Sequence, residues 1–133
     1  MTRTRSVFLT TCLAALALVL PVLAAAPASA ASWSKIIGSH GAQLQGCRVP
    51  LENGWRIYVR LVNNSDHGHG AGVTVNRDGK IVDRADFTVN GRRTSKVRSV
   101  VFRGGDELIG GIGEADSGEG HGGDFSLGLL VRC

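Results

Sequence analysis

The sequence predicts an all-β domain, an antiparallel β-sandwich of about seven short strands closed by one disulfide, with a small closed β-barrel as the alternative. Three observations predict it. Beyond position 30, apolar residues alternate with polar ones at period two, the mark of a half-buried strand. Turn residues break that alternation roughly every 10 residues. Helical spacing is missing: no window carries apolar residues at i, i+3, i+4 and i+7, and all 19 glycines of the chain fall after residue 30.

Residues 1–30 stand outside the pattern and predict a cleaved signal peptide. Arg3 and Arg5 form a short positive segment, "LAALALVLPVLAAA" an apolar core, and Ala28-Ser29-Ala30 a small-residue cleavage site. Pro21 and Pro27 interrupt the apolar run, no basic stop-transfer flank follows, and no later segment approaches ~20 apolar residues, so no membrane anchor is expected. The arginines are not adjacent and Cys12 precedes the apolar core, against a twin-arginine signal and a lipoprotein anchor respectively. The expected product is one secreted domain, residues 31–133, of bacterial style. It carries 13 Lys+Arg against 11 Asp+Glu, a net charge of +2, too little to argue for nucleic acid or an anionic membrane as partner.

The strands follow in order. "AQLQGCRV" (42–49) is the first. "GWRIYVRLVNN" (54–64) sets Trp55, Ile57, Val59 and Leu61 on a core face and Arg56, Tyr58 and Arg60 on the other. "GVTVN" (72–76) and "KIVDRADFTVN" (80–90) flank an Arg77-Asp78-Gly79 turn; "KVRSVVF" (96–102) follows Asn90-Gly91; "ELIGGIG" (107–113) follows Gly104-Gly105-Asp106. "FSLGLLVRC" closes the chain with Phe125, Leu127, Leu129, Val131 and Cys133 on one face, so the last cysteine is expected to point inward to a bridge between sheets. Cys47 and Cys133 are the only cysteines after residue 30 and predict one bond. The irregular stretches are 52–54, a histidine loop at 64–70 and a glycine-rich loop at 115–123.

The run "IYVRLVNNSDHGHGAGVTVNRDGKIVDRADFTVNGRRTSKVRSVVFRGGDEL" resembles bacterial extracellular immunoglobulin-like modules, in which an Asn turn ends one strand, a "V-x-V…DGK" hairpin follows and a Gly-Asp precedes a late strand. The resemblance covers about half of residues 31–133. It implies an immunoglobulin-like sandwich and, by analogy, a binding or adhesive role; it carries over no functional residue.

Two stretches could carry chemistry. "NNSDHGHGAG" holds His67 and His69 at a spacing that lets two imidazoles of an extended strand face one zinc or copper ion. "GEGHGGD" supplies His121 and Asp124, which with Asp66 could complete the shell if both loops lie at one end of the sandwich. The glycines around each histidine favour solvated turns instead. Calcium at Glu114, Asp116, Glu119 and Asp124 fails the EF-hand spacing, because Gly118 sits at the third ligand position. Ser39-His40 and Ser117 with His121 are the nearest nucleophile–base pairings, and sequence neighbours seldom form a triad.

A basic cluster, Arg92, Arg93, Lys96 and Arg98, follows the Asn90-Gly91 turn, with Arg103 further on, and alternation puts Lys96 and Arg98 on outward faces. Together with the ring of Tyr58 it is a candidate surface for an anionic wall polymer or glycan; a solvated strand protected by its charges against edge pairing is the plainer reading. Trp33 could add a second ring. The expected function is thus a monomeric, non-catalytic binding module of the extracellular space or cell envelope, without cofactor, whose partner is an extracellular protein or a wall polymer. A histidine-loop protein binding zinc or copper, and a secreted inhibitor or toxin, are the rival readings.

Overall fold

The computed structural model describes residues 32–133; the export segment expected at 1–30 lies outside the described residues. Nine strands are present among them: β1 (Ser34–Ser39), β2 (Ala42–Leu51), β3 (Gly54–Asn63), β4 (His69–Arg77), β5 (Lys80–Val89), β6 (Arg93–Thr94), β7 (Arg98–Phe102), β8 (Glu107–Glu114) and β9 (Gly120–Asp124). They form two antiparallel sheets that do not close into a barrel. One runs β1-β2-β3, with β6 and β7 sharing the far side of β3; the other runs β5-β4-β8-β9.

The alternation read from the sequence produces the core between these sheets. Ile57, Val59 and Leu61 of β3 are fully buried, with Leu44 opposite Leu61 and Val100 opposite Ile57. Val73, Val75, Ala85, Phe87, Leu108 and Ile112 face them from the other sheet. Each large side chain removed from water contributes roughly 1.5–3 kcal/mol before the entropy of ordering is counted. The expected Asp78-Gly79 turn is present: both residues have positive φ, 51° and 73°, which matches the twist of the strands they join. His40 and Gly41, at 41° and 83°, make the same kind of turn between β1 and β2.

Four expectations are corrected. β1 was not legible as a strand, because "SKIIGS" offers one apolar pair and no alternation. β9 occupies what reads as a glycine-rich loop, since glycine gives no side-chain signal for either face. The expected C-terminal strand is instead a 3-10 turn at Leu127–Leu129 followed by a single parallel bridge between Arg132 and Arg48. The Leu129 and Leu130 amides donate to Ser126 and Leu127, which shifts the phase so that Leu130 is buried at 1% while Leu129 and Val131 stay 44% and 41% exposed.

The fourth concerns the position of the disulfide. The Cys47–Cys133 bond is present, with Cα atoms 5.1 Å apart and a sequence separation of 86. It does not cross between sheets. Cys47 pairs with Tyr58 while its neighbour Arg48 pairs with buried Ile57, so Cys47 lies on the outer face of its sheet. The tail reaches it alongside β2, where Arg48 donates to the Val131 carbonyl at 2.9 Å and Cys133 to the Arg48 carbonyl at 3.1 Å. Trp55, expected in the core, is half-buried at its end, with the Arg48 and Arg132 guanidinium carbons 4.6 and 5.8 Å from the ring centroid.

Candidate functional site

The two histidine stretches meet at one end of the sandwich. The Ala115 amide donates to the Gly68 carbonyl at 2.9 Å, and the Asn64 amide to the Gly41 carbonyl at 3.0 Å. The strand β4 begins at His69, which draws that side chain between the sheets, fully buried, beside its register partners Val89 and Glu114. Its Nδ1 lies 3.3 Å from Ser65 Oγ and 3.3 Å from the His67 carbonyl, and its Nε2 is buried without a hydrogen-bond partner among the described residues. His67 is exposed on the loop. His121 sits on β9 opposite Ile112, and Asp124 opposite Ile109. Among the described residues no three His, Cys, Asp or Glu side chains gather as a metal would require.

Asn63 holds this end together, a role that its place in the Asn turn at the end of a strand did not disclose. It is buried at 1%. Its Nδ2 donates to the His67 carbonyl at 2.6 Å and to the Asn90 carbonyl at 3.2 Å, while its Oδ1 accepts from the Ser65 amide at 3.0 Å and hydroxyl at 2.7 Å. One side chain thus uses all its hydrogen-bonding capacity to tie two turns.

Glu114 contacts one residue from each of the sequence's catalytic pairings, His40 and Ser117, but not as a relay, and His121 is hydrogen-bonded to neither Glu114 nor Ser117 among the described residues. His40 Nδ1 lies 3.2 Å from Glu114 Oε1 and 3.1 Å from Ser39 Oγ. Both contacts fall on the same nitrogen, whereas a relay needs one ring nitrogen for each partner. Ser117 donates to the other oxygen of Glu114 at 3.3 Å.

The basic cluster divides. Arg92, at φ 56° in the turn before β6, pairs with Asp66, whose carboxyl is held below its ordinary value by that hydrogen bond and charge. Arg84 pairs with Asp86 at 2.7 Å, and Arg77 with Asp106 at 2.7 Å. Arg93, Lys96, Arg98 and Arg103 have no carboxylate in ion-pair contact among the described residues. Lys96 and Arg98 line a groove of about 300 Å³ between β5 and the segment 94–98, with Asp86 (the partner of Arg84), Phe87, Thr88 and Val89 on its other wall. Arg98 pairs with Val59, so it springs from the core-facing side of β7, not the outward side its alternation suggested, and reaches over the Phe87 ring at 6.0 Å. Asp83 braces the same seam by accepting the Val101 amide at 2.8 Å.

Tyr58 is not part of that groove. It is half-buried on the outer face of the β1-β2-β3 sheet, turned away from the groove, between Cys47 and Ser99 in the ladder. That face carries a polar ladder the sequence did not reveal: Arg60 donates from Nε and Nη2 to Gln45 Oε1 at 3.0 and 2.9 Å, Gln45 donates to Gln43, and the Arg60 guanidinium stacks 4.2 Å over the Trp33 ring. Trp33 precedes β1, and without that strand the sequence gives no reason to bring it against Arg60.

No protein-family model matches the chain, and no match is found among curated proteins or solved structures.

Proposed function

We propose that the protein is a secreted, non-catalytic binding module of immunoglobulin-like architecture, exported by its first thirty residues, that holds an anionic polymer of the cell envelope in the seam between β5 and residues 94–98. The observation that carries this reading is the division of the cations. Arg77, Arg84 and Arg92 are spent on Asp106, Asp86 and Asp66, whereas Lys96 and Arg98, unpaired among the described residues, stand along one groove, with Arg93 on the adjoining β6. Residues 77–103 hold 8 Lys+Arg against 3 Asp+Glu, so the charge concentrates on this side of the molecule although the net charge is small. Such a stripe attracts a polyanion without needing a deep pocket.

The test is retention of the purified protein on isolated cell walls across a salt series. Retention that falls steeply with salt, and that the Arg93→Ala/Lys96→Ala/Arg98→Ala variant loses, supports the reading, because exposed charges are screened within ~10 Å at 0.1 M salt. Absence of retention at low salt, or undiminished retention by the variant, overturns it.

A further inference from the structure

Sheet edges expose unpaired backbone groups, and natural edges carry guards against pairing with another chain. Three of the outer edges here are guarded. β1 carries Lys35 at a break in its register. β5 carries exposed Lys80 and Arg84 beside a register shift at Val75/Asn76. β7 has its Val101 amide taken by Asp83. The edge strand β9, "GHGGD", has no such device: its five-residue register to β8 is unbroken, every residue is exposed, and it holds no Pro, Lys or bulge.

The flanking hydrogen bonds identify the open groups. The Phe125 amide donates to the Leu108 carbonyl and the Glu114 amide to the Glu119 carbonyl, each at 2.9 Å. In an antiparallel ladder alternate residues address the partner strand. Residues 119, 121, 123 and 125 therefore face β8, and Gly120, Gly122 and Asp124 turn their N–H and C=O groups outward. Two of these three are glycines, and the positions behind them in the ladder, Gly113 and Gly111, are glycines too, so at Gly120 and Gly122 the strand has no side chain of its own to screen the edge, and Asp124 is its one charged outward residue.

Charge names the occupant. Residues 104–131 contain six acidic residues and no Lys or Arg. Asp106 is paired with Arg77 and Glu114 contacts His40, which leaves Glu107, Asp116, Glu119 and Asp124 without an ion pair among the described residues. A second copy docking β9 antiparallel against β9 about Gly122 would set Asp124 opposite Gly120 and next to Glu119 of that copy, and like charges brought together across a ladder destabilise it. We propose that β9 is a strand-addition edge for an extended cationic peptide, whose backbone pairs with Gly120, Gly122 and Asp124 and whose Lys or Arg side chains meet Glu119 and Asp124.

The test titrates the protein with a short synthetic peptide alternating lysine and threonine, followed by amide shifts and hydrogen exchange. The expected result is saturable binding with slowed exchange at Gly120, Gly122 and Asp124. A peptide of equal charge with a central proline should bind about tenfold more weakly, since it lacks a ladder donor, and the glutamate–threonine peptide should not bind. Asp124→Pro removes an outward N–H, and Gly123→Lys adds a charged guard where a Cβ meets nothing within 4 Å; each should weaken binding while the unliganded protein keeps its melting temperature. Equal binding of the proline-interrupted peptide, unprotected β9 amides, or protection that appears with protein concentration alone would overturn the proposal.

Discussion

The Ala115 amide and the Gly68 carbonyl are joined by a 2.9 Å hydrogen bond, so the two histidine-bearing stretches, nearly fifty residues apart in sequence, share one end of the sandwich without sharing a ligand cluster. The consequence is a strong asymmetry among histidines. His69 is fully buried, whereas His67 and His121 face solvent. His69→Ala should lower stability by about 2–3 kcal/mol, through the cavity it leaves and the loss of its contact with Ser65. His67→Asn and His121→Asn should each stay within ~0.5 kcal/mol. Zinc or copper should leave the melting temperature unchanged. A shift of several degrees, abolished by His67→Asn or His121→Asn, would restore the metal reading, because ligation at a hundredfold excess over Kd adds ~2.7 kcal/mol.

Asn63 predicts a second, larger sensitivity. Truncation in Asn63→Ala strands the Ser65 amide and the His67 and Asn90 carbonyls at once. A buried group left without its partner costs ~1–3 kcal/mol, and denaturant unfolding should show a loss in the upper part of that range. Asn63→Asp should cost a similar amount, because an ionised carboxylate cannot donate to either carbonyl. A near-neutral Asn63→Ala would show that the two turns hold without it.

Asp106 makes the stability depend on acid. Its side chain has no solvent exposure; Arg77 donates to both its oxygens at 2.7 and 3.0 Å, and the Arg103 amide at 2.8 Å. The Arg77 hydrogen bond, foremost, and the Arg103 amide hold its carboxyl below the ordinary 3.8 despite the opposing effect of burial. A carboxyl with a depressed folded-state pKa contributes stability that is present above its unfolded value and lost as pH falls through the folded one. Stability should therefore decline below about pH 4, and Asp106→Asn should flatten that decline while lowering stability at neutral pH. An unchanged acid limb in the variant would exclude Asp106 as its source.

How far the sequence carried depended on side chains. Where alternation was written in Ile57, Val59 and Leu61, or a turn in Asp78-Gly79, the strand, its core face and the turn were legible. Where the chain wrote glycine, as in β9, period two had nothing to act on and the strand read as a loop. The tail failed for another reason: "FSLGLLVRC" alternates well enough, but one turn at Leu127–Leu129 reverses which leucine is buried. At the candidate sites, composition found the basic cluster but not its division, since only the fold brings Asp66 to Arg92 and leaves Lys96 alone. The bracing role of Asn63 was not legible because a buried amide and a solvated one look identical in a sequence.

The disulfide gives a prediction with spatial resolution. Reduction should lower stability by ~2–4 kcal/mol, because the bond closes a long loop in the unfolded chain. Before global unfolding the tail should loosen first, since only Leu130 of its last residues is buried. Amide exchange at Arg48, bonded to the Val131 carbonyl, should quicken while Val59 in the core stays protected. Equal acceleration at both amides would show that the bond supports the whole sandwich and not the tail in particular.

The divided basic cluster gives the last prediction, which separates an organised seam from diffuse positive charge. Arg92 already has Asp66 as its partner, so its charge is partly neutralised and its guanidinium committed. Lys96 and Arg98 have no such partner among the described residues and line the groove. If wall retention depends on that groove, Lys96→Ala and Arg98→Ala should each weaken it several-fold at low salt and reduce its salt dependence, whereas Arg92→Ala should do little more than free Asp66. Replacing Asp66 itself should act in the opposite sense: Asp66→Asn releases Arg92, adds one net positive charge beside the turn and should strengthen retention. Diffuse attraction predicts a different pattern, in which the three alanine variants weaken retention alike because each removes one positive charge. Measuring the four variants side by side at two salt concentrations therefore decides the matter, and equal losses for Arg92→Ala, Lys96→Ala and Arg98→Ala would reduce the seam to an ordinary solvated surface.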